Sequence, residues 1–337
     1  MDIRRIDPND EAAVAAWCEV LRRFDTEHWG DIPGLDERFV KALATGAPGV
    51  VAFDMLAAHD GDRQVMGIAG MEMPQRDNLA SVECMIHVLP EHRRQGIGTC
   101  LGAEVEQRAA DLGRSVLNCR FVVPIAMEGA HPSGPFARRL GFEALQHGDH
   151  RILRMPVDPP HLASLRHEVA QHADGYRIFS FRAPWPAEYL KDQCELERRM
   201  STDMPSNDEM QEEQQWDAAR VAEVDAMIAA QGFEKLITAA QHEATGRIVA
   251  FTQLAVSEAR PLDAWQWATL VLGEHRGHRL GLAVKLANLD HLARAFPGVR
   301  RVITDNARDN VPMIAVNDLI GFTTAGTGTI WQKVLAA

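Results

Sequence analysis

The segment Arg93-Arg94-Gln95-Gly96-Ile97-Gly98 carries the residues best suited to ligand binding in this sequence of 337 residues. It follows an apolar stretch and precedes an amphipathic one, so we expect a strand before it and a helix after it. Glycines let the backbone approach a ligand closely, and the first turn of a helix offers unpaired N–H groups and the positive end of its dipole. Such a turn suits a diphosphate, and an arginine at its mouth adds charge-assisted hydrogen bonds.

The spacing of these glycines discriminates among the known kinds of phosphate loop. A P-loop requires a Gly-Lys pair, which does not occur at this turn. A dinucleotide fingerprint requires G-x-G-x-x-G after the first strand, whereas Gly96, Gly98 and Gly102 give G-x-G-x-x-x-G after the fourth predicted strand. The pattern that remains is [QR]-x-x-G-x-[GA], which Arg93, Gly96 and Gly98 satisfy.

A second copy of this arrangement lies in the other half of the chain. The loop Arg276-Gly277-His278-Arg279-Leu280-Gly281 is offset by 183 residues from the first loop, as Arg93 to Arg276 shows. The downstream segment RRLGF at 138–142 matches DLIGF at 318–322. We therefore predict an N-terminal domain at residues 1–158 (copy one), a linker at 159–174 and a C-terminal domain at 175–337 (copy two).

Hydrophobic period and turn residues predict the same order of elements in each copy. In copy one we expect strands at 3–6, 50–58, 64–73, 80–88 and 115–122, helices at 10–28, 98–112 and up to 140, and a closing pair of strands at 142–145 and 150–155. In copy two we expect strands at 176–181, 235–242, 247–256, 264–272 and 299–304, helices at 187–200, 216–231, 280–295 and 311–319, and a final pair of strands through 334.

These loops and their setting resemble the GNAT acetyltransferase superfamily, whose pyrophosphate loop for acetyl-CoA has the [QR]-x-x-G-x-[GA] pattern. The resemblance covers nearly the whole chain, twice. It implies an α/β fold of two tandem GNAT-like domains, each with a mostly antiparallel mixed sheet flanked by helices, in an arrangement similar to that of mycothiol synthase. It also implies an acyl-CoA-dependent N-acyltransferase that uses acetyl-CoA and no metal.

The resemblance implies cofactor-binding residues in both copies. The backbone of the strand before each loop would pair with the pantetheine arm, and the loop N–H groups would hold the pyrophosphate. In copy one these residues are Ile86, His87, Val88, Arg93, Arg94, Gln95, Gly96, Ile97 and Gly98. In copy two they are Leu270, Val271, Leu272, Arg276, Gly277, His278, Arg279, Leu280 and Gly281, with Asn310 available for the pantetheine or adenine end. Arg279 stands where the pattern has a glycine, which either blocks the close approach or adds a phosphate contact.

Attack of an amine on a thioester requires loss of an ammonium proton and stabilisation of the oxyanion and the departing thiolate. Glu83 lies where many members of the family carry a catalytic carboxylate; an exposed hairpin carboxylate is the alternative interpretation. Asp263 and Gln266 lie at comparable places in copy two, and Gln266 cannot act as a base. Ala137 and Asn317 replace the family's thiolate-protonating tyrosine. We therefore expect that no tyrosine is the general acid, and that water, Asn317 or a local hydroxyl assists the thiolate.

These features predict transfer of an acetyl or short acyl group from acyl-CoA to an amine of a small molecule, by direct attack in a ternary complex. We expect one site to dominate and favour copy two, because its segment 306–317 reads as a more regular helix than 124–135 of copy one. The alternative is a non-catalytic acyl-CoA sensor with degenerate sites. Acetylation of protein termini or lysines is less favoured, because no segment reads as a peptide groove.

Composition narrows the class of partner and compartment. The net charge of −12 disfavours a nucleic acid and suits a cationic amine, for which the acidic run 203–213 is a candidate surface. No apolar run is long enough to cross a membrane, and the N-terminus has charges where a signal peptide has its apolar core. We expect a cytoplasmic monomer or homodimer, complete at its N-terminus, whose five cysteines are reduced.

Overall fold

The computed structural model describes residues 1–29, 36–47, 49–61, 64–203 and 211–335, which form the following strands and helices. In the first half these are β1 (Asp2–Arg5), α1 (Glu11–Trp29), α2 (Glu37–Thr45), β2 (Val51–His59), β3 (Val65–Pro74), β4 (Ser81–Val88), α3 (Ile97–Asp111), β5 (Val116–Pro124), α4 (Ser133–Arg139), β6 (Glu143–Arg154) and α5 (Pro159–Ala170). In the second half they are β7 (Tyr176–Arg182), α6 (Leu190–Asp203), α7 (Ala218–Ala230), β8 (Phe233–His242), β9 (Ile248–Ser257), β10 (Arg260–Val271), α8 (Leu280–Ala295), β11 (Arg301–Ala307), α9 (Val311–Ile320) and β12 (Thr323–Val334).

All twelve of these strands join one sheet in the order β1-β2-β3-β4-β5-β12-β6-β11-β10-β9-β8-β7. Neighbouring strands are antiparallel, except that β4 runs parallel to β5 and β10 runs parallel to β11. Helices cover both faces. The predicted fold class, two GNAT-like units with mostly antiparallel mixed sheets flanked by helices, is confirmed.

The last strand of each copy is exchanged with the other copy. Strand β12 lies against β5 of copy one, and β6 lies against β11 of copy two. The two exchanged strands pair with each other at the centre of the sheet. Trp331 of β12 is buried with Leu101 of α3 in the copy-one core, whereas Leu153 of β6 is buried with Leu286 of α8 in the copy-two core. Each core is therefore completed by a strand from the distant half of the chain.

The predicted closing pairs of strands were wrong, because each is one continuous strand of 12 residues. Gly148 falls between the two predicted strands but lies in the middle of β6, where a Cβ would sit 2.7 Å from the backbone oxygen of Asn306. Gly326 of β12 is placed in the same way, since a Cβ there would lie 2.6 Å from the backbone oxygen of Val123. These glycines allow strands to approach closely and do not reverse the chain.

Alternate residues of the copy-one strands fill two cores on opposite faces of the sheet. Met55 of β2 packs with Trp17 of α1, whereas its neighbour Leu56 packs with Leu101 of α3. Helix α2, which we did not predict, lies with α1 and begins at the capping residue Asp36. Helix α3 is thus held on the face opposite α1, with its first turn directed at the end of β4.

The segment predicted as a linker contains helix α5. Asp158 caps it by accepting a hydrogen bond from the backbone N–H of His161, and prolines occupy its first turn. Leu165 is buried against α8 of copy two, and Arg166 forms an ion pair with Asp290 of that helix at 2.5 Å. The boundaries at 158 and 175 stay a prediction, but α5 packs as part of copy two.

Candidate functional site

The two predicted phosphate loops have the same backbone. In copy one Arg94 and Gly96 adopt left-handed conformations, with φ of 63° and 85°, before α3 begins at Ile97. In copy two Gly277 and Arg279 do so, with φ of 87° and 56°, before α8 begins. No side chain of a described residue caps either helix, so the first-turn N–H groups face outward. This geometry suits an anion such as a diphosphate.

Arg279 does not block the phosphate loop of copy two, and its guanidinium is directed away from the loop. Its backbone is left-handed like that of Gly96 in copy one, and its guanidinium forms an ion pair with Glu168 of α5 at 2.6 Å. The glycine and the arginine have exchanged places between the two loops, since copy one has Arg94 where copy two has Gly277. An exposed loop tolerates this exchange at a cost of about 1 kcal/mol for each non-glycine residue.

Next to each loop the sheet opens between its two parallel strands. Pairing of β4 with β5 ends at Cys84 and Cys119, which leaves the edge from Ile86 to Val88 without a β5 partner. Pairing of β10 with β11 ends at Trp265 and Ile303, so the edge through Leu270 to Leu272 is free of β11 in the same way. The predicted pantetheine-binding residues therefore lie along an open strand edge that leads to a phosphate loop.

In copy two this opening forms a cavity of about 220 Å³. Its wall comes from the free ends of β10 and β11, from α8 and α9, and from the exchanged strands. The lining residues are Arg120, Gln146, His147, Gly148, Gln266, Trp267, Thr269, Lys285, Thr304, Asp305, Asn306, Ala307, Asn310, Met313, Gly328 and Ile330. The predicted residue Asn310 is among them; its side chain also caps α9, because it accepts a hydrogen bond from the N–H of Met313.

Behind this cavity the predicted residue Asn317 belongs to a chain of buried polar groups that includes Lys285, which the sequence interpretation missed. The Lys285 ammonium donates to Asn317 Oδ1 at 3.0 Å, and Asn317 Nδ2 donates to Asn306 Oδ1 at 2.7 Å. Asn317 is completely buried and does not line the cavity, whereas Lys285, although only 2% exposed, does. Burial lowers the pKa of Lys285 to about 7. Lys285 thus lies beside Asn317, the residue that the sequence predicted to assist the thiolate, and lines the cavity.

In copy one the corresponding opening is covered by the end of α1. The ring centroids of Phe24 and His87 of β4 are 4.1 Å apart. Those of His28 and His131, a residue that follows β5, are 4.6 Å apart. Helix α1 thus bridges the two sides of the opening. His87 is enclosed, and its burial lowers its pKa to about 4, so the imidazole is neutral.

The loop arginines also differ between the copies, since that of copy one is held by a close ion pair and that of copy two is not. The Arg93 guanidinium binds both oxygens of Glu27 at the end of α1, with Nη1 at 2.7 Å, and also donates to the carbonyl of Val88. The Arg276 side chain is 58% exposed, and its ion pair among the described residues, with Asp203, is 3.7 Å long; its Nε also donates to the carbonyl of Val271 at 3.3 Å. Arg276 can therefore turn to an incoming phosphate without breaking a close ion pair.

The three polar side chains considered at the position of the catalytic base are held by hydrogen bonds. Glu83 is exposed and accepts a hydrogen bond from Asn118 at 2.8 Å. Asp263 is buried and forms a two-point ion pair with Arg301 at 2.7 and 2.9 Å, which indicates a structural role. Gln266 lines the cavity, where its amide donates to the backbone oxygen of Gln253.

The two tyrosines lie outside the copy-two cavity. The hydroxyl of Tyr176 hydrogen-bonds Nδ1 of His275 beside the phosphate loop, and that of Tyr189 accepts from Arg177. This placement agrees with the expectation that neither is the general acid, which remains a prediction.

Most of the acidic run predicted to attract a cation, residues 204–210, lies outside the described residues. At its described end, Glu212 accepts from the backbone N–H of Asn78 in copy one at 2.7 Å, and Glu213 forms an ion pair with Arg198.

Comparisons with known proteins agree with this architecture. Residues 14–142 match the family model of the acetyltransferase (GNAT) family. No curated protein sequence matches the chain. A tandem GNAT protein from the clavulanic acid biosynthesis pathway superposes with a TM-score of 0.81 at 26% identity, covering 100% of this chain and 99% of the other. A GCN5-related N-acetyltransferase from Sphaerobacter thermophilus gives a TM-score of 0.64 at 15% identity, covering 100% and 96%.

The opening between two parallel strands beside an uncapped helix N-terminus occurs in both copies, as expected for two GNAT-like domains. The comparisons place residues 14–142 in the GNAT acetyltransferase family, and the whole chain has the tandem GNAT fold.

The residues of copy two fit acyl-CoA on three observations. The loop presents free N–H groups, space is open around Gly277, and a strand edge leads from the loop to the cavity. Among the residues that the structure describes, no group of three side chains could hold a metal ion, and no helix is both long and apolar enough to span a membrane.

Proposed function

We propose that the protein transfers an acetyl or other short acyl group from acyl-CoA to an amine of a small molecule, and that copy two is the site that turns over. The observation that carries the proposal is the cavity at the β10–β11 opening, which is lined by Trp267 and Thr269 of β10; the free edge of this strand continues from the cavity towards the phosphate loop. The equivalent opening in copy one lies under the end of α1, with Arg93 held by Glu27.

The residues of copy two have separable roles in this reaction. The loop N–H groups and Arg276 bind the diphosphate, and the free edge of β10 orients the pantetheine arm. Acyl-CoA supplies the thioester that is attacked. Direct attack needs the amine held close to the thioester carbon, and a water can take the ammonium proton. Trp267, 39% exposed at the mouth of the cavity, offers an aromatic face to a cationic acceptor.

Gln95 and His278 test the division of labour, because they occupy the same exposed position in the two loops. We expect His278→Glu to weaken acetyl-CoA binding at least tenfold, since a carboxylate at the loop repels the diphosphate. Gln95→Glu adds the same charge to copy one and should leave binding to the functional site unchanged. His278→Gln is the neutral control.

Binding would be measured by isothermal titration with acetyl-CoA, and turnover by thiol release with a panel of small amines. Equal losses of turnover in His278→Glu and Gln95→Glu would refute the assignment to copy two. Tight binding of acetyl-CoA without thiol release for any amine would instead support the non-catalytic sensor.

A further inference from the structure

Lys285 is a charged residue on an apolar helix. Its neighbours Leu282, Val284, Leu286 and Leu289 are buried in the core between α8 and the sheet. Lys285 nevertheless lines the copy-two cavity. Its ammonium donates a hydrogen bond to the side-chain oxygen of Asn317 and lies 5.8 Å from the centre of the Phe322 ring. A buried ammonium normally requires an anionic partner.

Within the described part of the chain, no carboxylate forms an ion pair with Lys285. The other titratable side chains that line the cavity are Arg120 of β5, His147 of β6 and Asp305 of β11. Asp305 is already bound by Arg120 and His150, each at 2.8 Å. Although burial raises the pKa of Asp305, these two partners bring it below its ordinary value, so it remains ionised with them.

On α9, Asn317 is neutral and the neighbouring Asp318 forms an ion pair with Arg151 of β6. Among the described residues the cavity therefore offers Lys285 no unpaired carboxylate, and an anionic group of a bound ligand would be its ion-pair partner.

We propose that Lys285 is the general acid of copy two, protonating the thiolate of CoA as it leaves the acyl group. The proposal rests on the proposed function. Lys285 lies six residues beyond Arg279 in α8, about 9 Å along the helix from the phosphate loop. The ligand's arm, entering along the free edge of β10, passes this position at the cavity.

The proton balance of the step closes within the site. The neutral amine attacks the thioester carbon, the carbon–sulfur bond breaks, and its electron pair goes to sulfur. The Lys285 ammonium gives its proton to that sulfur and becomes a neutral amine. The proton shed by the acceptor nitrogen returns to Lys285 through water, so that the products are the amide and CoA thiol.

Asn317 and Asn306 act as positioning residues. Asn317 is fixed by its hydrogen bond to Asn306, and its oxygen points the ammonium at the cavity. This orientation needs an amide at residue 317. Asn317 therefore positions the proton donor Lys285, whereas a tyrosine at this place would itself donate the proton to the thiolate.

The test uses CoA itself and needs no acceptor. The full-length protein is titrated with CoA, and the ionisation of the bound thiol is followed against pH by the ultraviolet absorbance of the thiolate. In the wild-type complex we expect the thiol pKa to fall at least one unit below that of free CoA, a tenfold gain in thiolate at a given pH. Lys285→Met, which keeps most of the length of the side chain but not its charge, should abolish this fall.

Lys333→Met is the matched control, because Lys333 is bound to Glu106 and the backbone oxygen of Leu140 in copy one, away from the cavity. It should leave the bound thiol as in the wild type. Asn317→Asp is a second variant of the proposed site. Its carboxylate offsets the charge of Lys285, so the bound thiol should ionise at higher pH than in the wild type.

The outcomes separate the two proposals. If CoA does not bind the wild-type protein, the proposed function fails and the role of Lys285 fails with it. If CoA binds equally to the wild type and to folded Lys285→Met or Asn317→Asp, and the bound thiol ionises alike in all three, the general-acid role alone is overturned.

Discussion

Gly148 connects the stability of the exchanged strands to the shape of the copy-two cavity. A Cβ at this residue would lie 2.7 Å from the backbone oxygen of Asn306 and 3.3 Å from its carbonyl carbon. Both atoms belong to β11 and cannot rotate away. Restoring an ordinary contact requires β6 and β11 to separate by several tenths of an ångström. Overpacking of this kind costs about 1–3 kcal/mol, so we expect Gly148→Ala to lower the free energy of unfolding by about 2 kcal/mol.

Gly328 of β12 supplies the matched control for this substitution. A Cβ there would meet Val122 at 3.8 Å and the oxygen of Gly148 at 3.9 Å, which are ordinary contacts. Gly328→Ala should change the free energy of unfolding by less than about 0.5 kcal/mol, and the loss of glycine's unfolded-state freedom favours a small gain. Urea unfolding followed by tryptophan fluorescence measures both. Equal midpoints for the two variants would refute the close approach of β6 to β11.

Three further predictions concern the two copies separately. Asp263→Ala removes the carboxylate that holds Arg301 and should lower the free energy of unfolding by about 3 kcal/mol; a urea-derived loss below about 1 kcal/mol would contradict it. Gly98→Ala should lower the melting temperature, because its Cβ would lie 2.8 Å from a ring carbon of Phe136. Gly281→Ala should not, because the nearest atom to its Cβ, in Val271, is 3.7 Å away. Equal shifts in melting temperature would contradict this prediction. From pH 7 towards pH 10 the unfolded chain keeps the Lys285 proton that the folded chain has lost. The free energy of unfolding of the wild type should therefore rise relative to that of Lys285→Met by about 1.4 kcal/mol per pH unit. Urea unfolding of both proteins at several pH values measures this, and equal dependence of their unfolding free energies on pH would disprove it.

Local patterns in the sequence were sufficient for the loops and most elements. The glycine spacing placed both phosphate loops, because a left-handed turn before a helix has a local signature. Copy two begins its loop helix at Leu280, as predicted. The alternation of Trp265 and Trp267 along one strand predicts that they share a face, and both rings pack on Phe233, which also contacts Phe39 of copy one.

Features that depend on distant pairing could not be read from the sequence. The alternation of β6 is the same whichever copy it joins, so the exchange of strands has no local signal. The covering of the copy-one opening depends on how α1 ends against His87, a contact between residues far apart in the chain. Lys285 did leave a signal, since a lone lysine interrupts the apolar stretch 280–289.

The exchange of β6 and β12 has a consequence for how such a chain could arise. A single-domain ancestor that exchanged its last strand in this way would be an obligate homodimer, with each subunit completing the other. Joining two such subunits through α5 turns association into an intramolecular event, independent of protein concentration. Joining the subunits in one chain also allows the sequences of the two sites to diverge. Neither half can be deleted, because each supplies a strand to the core of the other. One site could then lose its role while its half of the chain still completes the core of the other half.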